Sequence, residues 1–240
     1  MHGPEQGSRK TPVNRAEPPI LGCVRRLDGA RQVAEAPACA APERGMLVAR
    51  RLGKRYGEKR VLRGIDLELP RGGFLVVTGP NGSGKTTLLR ICAGLAQPTE
   101  GTIERSAVRA HVGYLGHEPL VYRELTALEN LELYGRLYRV VERRERIGML
   151  LERFGLWDAR HERVASYSRG MTQRLALCRV LLHEPELLVL DEPYSALDEA
   201  GAELLDAQLA ELRAERTFLL ATHEPVRVEP FASGRLALAA

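Results

Sequence analysis

The sequence predicts an α/β fold built on a parallel core sheet, and three observations carry that prediction. Short, almost continuously apolar runs at Gly73–Thr78, Leu187–Leu190 and Thr217–Ala221 read as strands buried on both faces, which is how parallel strands look in sequence. The last two are separated by one helical stretch, Glu199–Ala214, the spacing of a strand–helix–strand crossover. The first leads directly into Gly79–Thr86, GPNGSGKT, and then into Thr87–Leu95, where apolar residues recur at helical spacing.

Strand, G-x-x-x-x-G-K-[ST], helix is the context that distinguishes a phosphate-binding loop from a glycine-rich turn with a surface lysine. Across Gly79, Pro80, Asn81, Gly82, Ser83 and Gly84 the glycines let successive backbone N–H groups turn inward around a phosphate. The N-terminus of the following helix, with Thr87 in its first turn, adds partial positive charge. Lys85 can reach the β- and γ-phosphates, and the Thr86 hydroxyl can ligate Mg²⁺. The chain is therefore expected to bind a nucleoside triphosphate.

The remaining elements follow from pattern and caps. Ahead of the loop, Leu47–Leu52 and Val61–Leu69 have strand character, and after its helix come short pieces at Thr102-Ile103 and His111–Leu115. Thr126-Ala-Leu-Glu129 is a capping box opening a helix that runs toward Tyr138. A charged helix is expected from Glu142 to Phe154, and another from about Gly170 to Leu182. No internal repeat occurs, so the sequence predicts one nucleotide-binding domain over 46–240 with a helical insert at roughly 118–182. Residues 1–45 differ: they hold six of the fourteen prolines and no sustained period, so they are expected to form a disordered extension. Met46 opens the folded pattern, and a start codon placed too far upstream would account for the segment before it. Ile20-Leu-Gly-Cys23 faintly resembles a lipoprotein cleavage site, but no apolar region precedes it.

Composition narrows the partners. The chain has 240 residues, 44% apolar and 28% charged, as ordinary globular proteins have. Aromatics make up only 5%, with the single Trp157, which offers little for stacking nucleic-acid bases, so no nucleic-acid partner is expected. A net charge of +4 is mild and its arginines are spread along the chain. No run approaches the roughly 18 apolar residues of a membrane span, so any membrane crossing is left to another chain. Cys23, Cys39, Cys92 and Cys178 show no C-x-x-C spacing, and the last two lie on apolar helical faces as buried thiols.

A second constellation follows the strand Leu187–Leu190. Carboxylates at the carboxyl end of a strand face the ligand crevice of an open α/β sheet. Asp191 can hold Mg²⁺ there, and Glu192 can polarise a water for in-line attack on the γ-phosphate. Apolar-Asp-Glu alone would as readily be a solvated turn; the phosphate loop is what gives the pair meaning.

With these motifs the chain resembles the ATP-binding subunits of ATP-binding-cassette (ABC) transporters from Leu47 to about Gly234. YSRGMTQRLALCRVLL, Tyr167–Leu182, is similar to the signature segment of that family, and SALD, Ser195–Asp198, to its D-loop. His223 matches the switch histidine that donates to the γ-phosphate, and Tyr56 the aromatic that stacks on adenine, although Tyr56 could also be plain apolar filler. The resemblance implies a P-loop cassette with a small antiparallel β subdomain, and ATP with Mg²⁺ as ligands. It further implies that Ser168 and Gly170 contact the γ-phosphate bound to a second subunit, so that two copies of the chain pair as a homodimer. Membrane permease subunits are the other implied partners, with the chain held peripherally at the cytoplasmic face of the inner membrane.

The chain departs from the family pattern at two places. LSGGQ is here YSRGM, and the usual glutamine after His111–Leu115 is replaced by His117 within VGYLGHEP. LGHEPLVYRELTALENLELYGRLY, Leu115–Tyr138, resembles the haem exporter ATP-binding subunits of cytochrome c biogenesis. That resemblance implies haem-export function; the alternatives are a drug or polysaccharide exporter, a soluble ABC ATPase acting on ribosomes or DNA, and a small kinase. The soluble class usually brings two cassettes, heptads or Cys/His clusters, none of which occurs here.

Overall fold

A computed structural model describes residues 45–239. The extension expected over 1–45 therefore lies, apart from Gly45, outside the described residues, as do Cys23 and Cys39.

Two sheets organise the chain. Strands β1 (Leu47–Tyr56), β2 (Lys59–Leu69) and β4 (Glu100–Arg105) form an antiparallel sheet in the order β2-β1-β4. Strands β3 (Phe74–Thr78), β5 (Val112–Leu115), β6 (Leu187–Asp191), β7 (Thr217–Ala221) and β8 (Gly234–Ala237) form a parallel sheet in the order β5-β6-β7-β3-β8. The helices are α1 (Lys85–Cys92), α2 (Ala127–Leu137), α3 (Arg143–Arg153), α4 (Arg169–Leu181), α5 (Glu199–Leu212) and the single turn α6 (Pro225–Val228).

The continuous apolar runs have a direct explanation in the two cores. Along β3, β6 and β7 alternate residues point to opposite faces, and each face is covered. Phe74, Val76, Leu188, Leu190, Phe218 and Leu220 join the core shared with the helices of the insert and α5. Leu75, Val77, Leu187, Val189, Leu219 and Ala221 join the core under α1 and the antiparallel sheet. Phe74 and Phe218 stack with centroids 4.9 Å apart, pinning two neighbouring strands on the first face.

Several boundaries differ from expectation for local reasons. β1 runs on to Tyr56, past register shifts near Leu52 and Lys54 that break its alternation. β4 is six residues rather than two, mostly exposed and with only two half-buried positions, and hence gives little hydrophobic signal. The four-residue β8 was not predicted at all. Helix α1 begins at Lys85, inside the motif, and α3 begins at Arg143 because Glu142 sits in the left-handed region at φ 52°. The helix expected from about Gly170 is α4, with Gly170 in its first turn and Ser168 capping it by accepting from the Met171 N–H at 3.1 Å. The capping box is present as expected, with Thr126 and Glu129 exchanging hydrogen bonds at 2.8 and 3.1 Å.

Candidate active site

Because the sheet is parallel, every strand delivers its carboxyl end to one edge of the domain, and four of the five carry a candidate site residue there. β3 ends in the phosphate loop, β5 leads to His117, β6 ends in Asp191 and Glu192, and β7 leads to His223. Register aligns them: Asp191 pairs with Ala221, and Ala221 with Val77 across β7. The sequence-predicted phosphate loop, carboxylates and switch histidine are thus brought to neighbouring strand ends.

The loop conformation requires its glycines at two positions. A Cβ on Gly79 would lie 2.6 Å from the Leu238 carbonyl oxygen and 2.8 Å from Ser83 Oγ. Gly84, at φ 97°, is the N-cap of α1, and a Cβ there would lie 2.7 Å from Leu62 Cδ2. Within the loop, the Lys85 ammonium donates to the carbonyls of Gly79 at 2.8 Å and Pro80 at 3.3 Å. Ser83 Oγ is sealed from solvent without a hydrogen-bond partner, an arrangement a bound polar group would relieve.

Asp191 is 3% exposed, and burial raises its pKa above the ordinary carboxylate range. A hydrogen bond from Thr86 opposes that rise, as do the His117 and Lys85 charges, while Glu192 adds to it. Its Oδ2 is buried with no partner. A carboxylate and a hydroxyl in contact, with one carboxylate oxygen left unpaired, fit Mg²⁺, which takes one or two protein ligands and completes its shell with phosphates and water. Among the described residues no cluster of three or more His, Cys, Asp or Glu could hold a metal by itself.

Glu192 stands in the left-handed region at φ 50°, a strained backbone position at a strand end. Its Oε2 accepts from the His223 backbone N–H at 3.2 Å and lies 2.8 Å from His223 Nδ1. The glutamate is half-buried and the histidine exposed, which leaves the outer face of the pair open to a ligand. The sequence had assigned each residue a separate role; that they form a pair depends on the register of β6 and β7. Tyr56, the last residue of β1, is 51% exposed and could receive a stacking partner on the ring surface not covered by Lys54 Nζ, which lies 5.0 Å above the ring. Thr87 is partly buried in the first turn of α1.

Ser168 and Gly170 lie at the N-terminus of α4, which packs with α2, α3 and β5, whereas α1 packs on β6, β7 and β2. Gly170 faces the D-loop stretch: a Cβ on it would be 3.3 Å from the Ala196 carbonyl oxygen. A cleft of about 1020 Å³ opens next to this region, lined by His117, Leu120, Tyr122, Tyr134, Tyr167 and Arg169 among others.

The sequence model of the ABC transporter family matches residues 62–195, the span from β2 to the D-loop. The chain belongs to the ABC transporter ATP-binding family. An uncharacterised ABC transporter ATP-binding protein of Bacillus subtilis, YxlF, is 42% identical over 74% of this chain. The daunorubicin resistance ATP-binding protein DrrA3 of Streptomyces coeruleorubidus is 44% identical over 70% of it. The chain spans only about three fifths of these relatives, 62% and 57% of their lengths. The cytochrome c biogenesis ATP-binding export protein CcmA of Haemophilus influenzae is 36% identical over 77% of this chain and is covered over 92% of its own length. Among solved structures, a bacterial ABC transporter cassette in dimeric form matches with TM-score 0.72 at 28% identity, covering 81% of this chain and 94% of that one. The same cassette in a dimer bound to ADP and Pi matches with TM-score 0.70. The antiparallel sheet, the parallel core and the helical insert are accordingly those of an ABC cassette, an ATP-binding unit. No helix among its described residues is long and apolar enough to cross a membrane.

Proposed function

We propose that this cassette hydrolyses ATP to drive a membrane exporter, and that the exporter is of the haem-export type serving cytochrome c biogenesis. The observation that carries the hydrolytic reading is the contact between Glu192 and His223 at the mouth of the phosphate loop. Glu192 is placed to take a proton from an attacking water, which general-base catalysis requires within hydrogen-bond reach. His223, held at Nδ1 by that carboxylate, keeps Nε2 for a phosphate oxygen or for Glu224, 3.5 Å away. Lys85 exchanges its carbonyl contacts for phosphate oxygens, and the loop N–H groups and the α1 N-terminus complete the cradle. Thr86 and Asp191 would hold Mg²⁺, which supplies charge neutralisation at the β- and γ-phosphates. Tyr56 offers its exposed ring to adenine.

The resemblance implies that Ser168 and Gly170 act on a nucleotide held by a second copy, and the dimeric form of a similar cassette supports such pairing. A permease would then seat in the cleft beside His117, where Tyr122 is exposed and Tyr134 half-buried, tyrosine being enriched at interfaces.

The haem assignment rests on the near-complete coverage of CcmA together with the resemblance across Leu115–Tyr138. A drug-export reading is favoured by the higher identity to DrrA3. Deleting the gene in its host and staining membrane proteins for covalently bound haem separates the two. Loss of c-type cytochromes supports haem export; intact cytochromes with heightened drug sensitivity support the second reading.

A further inference from the structure

The segments that follow Glu192 and His223 meet again on α5, away from the phosphate loop. Tyr194 donates its hydroxyl to Asp206 Oδ1 at 2.7 Å. Arg227, in α6, donates Nη1 to Asp206 Oδ2 at 2.8 Å and Nη2 to Glu199 Oε1 at 2.5 Å. Its guanidinium lies 5.6 Å from the centre of the Tyr194 ring. Asp206 thus gives one carboxylate oxygen to each segment. With the Glu192–His223 contact, chain and hydrogen bonds form a closed circuit: Glu192, Tyr194, Asp206, Arg227, His223 and back to Glu192.

We propose that Asp206, acting through Tyr194 and Arg227, is a positioning residue that holds His223 against Glu192. The inference rests on the reading that this site hydrolyses ATP. A reason for such a brace is visible in the local structure. His223 sits on an exposed stretch between β7 and a four-residue helix, too short to be stable by itself. Glu192 occupies a strained backbone position that persists only where its surroundings enforce it. Asp206 and Arg227 are 29% and 27% exposed in their side chains, so their contact is better shielded than an ordinary surface pair. Hydrogen bonding to Glu199, then the charge of Asp206, raises the Arg227 pKa, and burial followed by the Asp206 contact raises that of Tyr194. Arg227 therefore keeps its charge and Tyr194 its donor proton throughout the working range of pH.

A purely structural role, α6 pinned to α5, would make the same contacts, so the test must read coupling to His223. In the full chain, kcat and KM for Mg-ATP and the melting temperature are measured for Asp206→Asn, Arg227→Gln and Tyr194→Phe. Each is made in the parent and in a His223→Ala background, with residual rates followed by release of radiolabelled phosphate. Misplacement of a catalytic group can cost up to about 100-fold, so Asp206→Asn and Arg227→Gln should lower kcat about 10-fold or more with KM within about twofold. In the His223→Ala background the same substitutions should change kcat by less than about twofold, because residues acting as one unit are not additive. Tyr194→Phe removes only a hydroxyl and keeps the test open should Asp206→Asn fold poorly. Equal losses in both backgrounds, or losses that follow the melting temperature alone, overturn the inference. A parent protein that hydrolyses no ATP overturns the hydrolytic reading itself and the inference with it.

Discussion

At the scale of single residues, the two carboxylates at the end of β6 are neighbours in sequence held in unlike surroundings. Asp191 is buried, beside Thr86 and within range of Lys85, whereas Glu192 turns outward through a left-handed backbone to meet His223. The environment divides the labour: the shielded group suits a cation and the accessible one suits a water. Glu192→Gln should accordingly leave ATP affinity nearly unchanged and lower kcat about 10²–10⁴-fold, the usual cost of losing a general base. Retention of more than half the parent turnover would remove Glu192 from that role. Lys85→Ala should act on binding instead, because it deletes a charge-assisted contact of about 1.5–3 kcal/mol. Calorimetry with Mg-ATP checks this, and equal affinities would contradict the assignment. Lys85 and Glu192 were legible in the sequence because the chemistry there fixes residue type at fixed spacing. Asp206 and Arg227 were not, since their contacts join positions separated by 21 residues with no local pattern to announce them.

At the scale of elements, legibility followed burial. β3, β6 and β7 are covered on both faces and read as apolar runs; α2 announced itself by its capping box, which needs only four adjacent residues. β8 alternates between buried and exposed residues over four positions, too short a span for a period to register, and β1 hides its length behind bulges. Just past the insert lies a titrating group that no motif flagged. His183, just past α4, stacks on Tyr138 with ring centres 4.1 Å apart, and both its ring nitrogens are sealed from solvent. Burial lowers its pKa to about 4, assisted by the charges of Arg179, His111 and Arg146. The unfolded chain takes up this proton near pH 6.5 and the folded chain only near pH 4. Stability is therefore complete above about pH 6.5 and is lost as pH falls toward 4, by about 1–2 kcal/mol once partial exposure is allowed for. Urea titrations across that window should show the slope in the parent and a flatter dependence in His183→Phe, which keeps the stacking on Tyr138. An identical slope in both proteins would mean that His183 is protonated in the folded state.

At the scale of the whole molecule, the proposed function divides the phosphate site between two parts of the cassette. The loop, Asp191 and Glu192 belong to the core sheet, and Ser168 with Gly170 belongs to the insert, where α4 presents an N-terminus to solvent. A helix N-terminus attracts anions and loses that capacity when a negative side chain occupies it. This gives a substitution that separates folding from assembly. Ser168 now accepts from the Met171 N–H, and aspartate serves equally well as an N-cap, so Ser168→Asp should leave the melting temperature within about a few degrees of the parent. On the proposed pairing, however, the new carboxylate would stand where the γ-phosphate of the second copy approaches. In a Glu192→Gln background, where bound ATP is not consumed, the chain should sediment as a dimer on addition of Mg-ATP. Ser168→Asp in the same background should raise the ATP-dependent dimer dissociation constant at least about tenfold, the equivalent of ~1.4 kcal/mol of like-charge repulsion across the interface. ATP affinity of the monomer should not change, because the phosphate loop is untouched. Undiminished dimerisation in the charged variant would place the second copy's nucleotide away from α4, and with it the pairing mode inferred from Ser168 and Gly170 would fall.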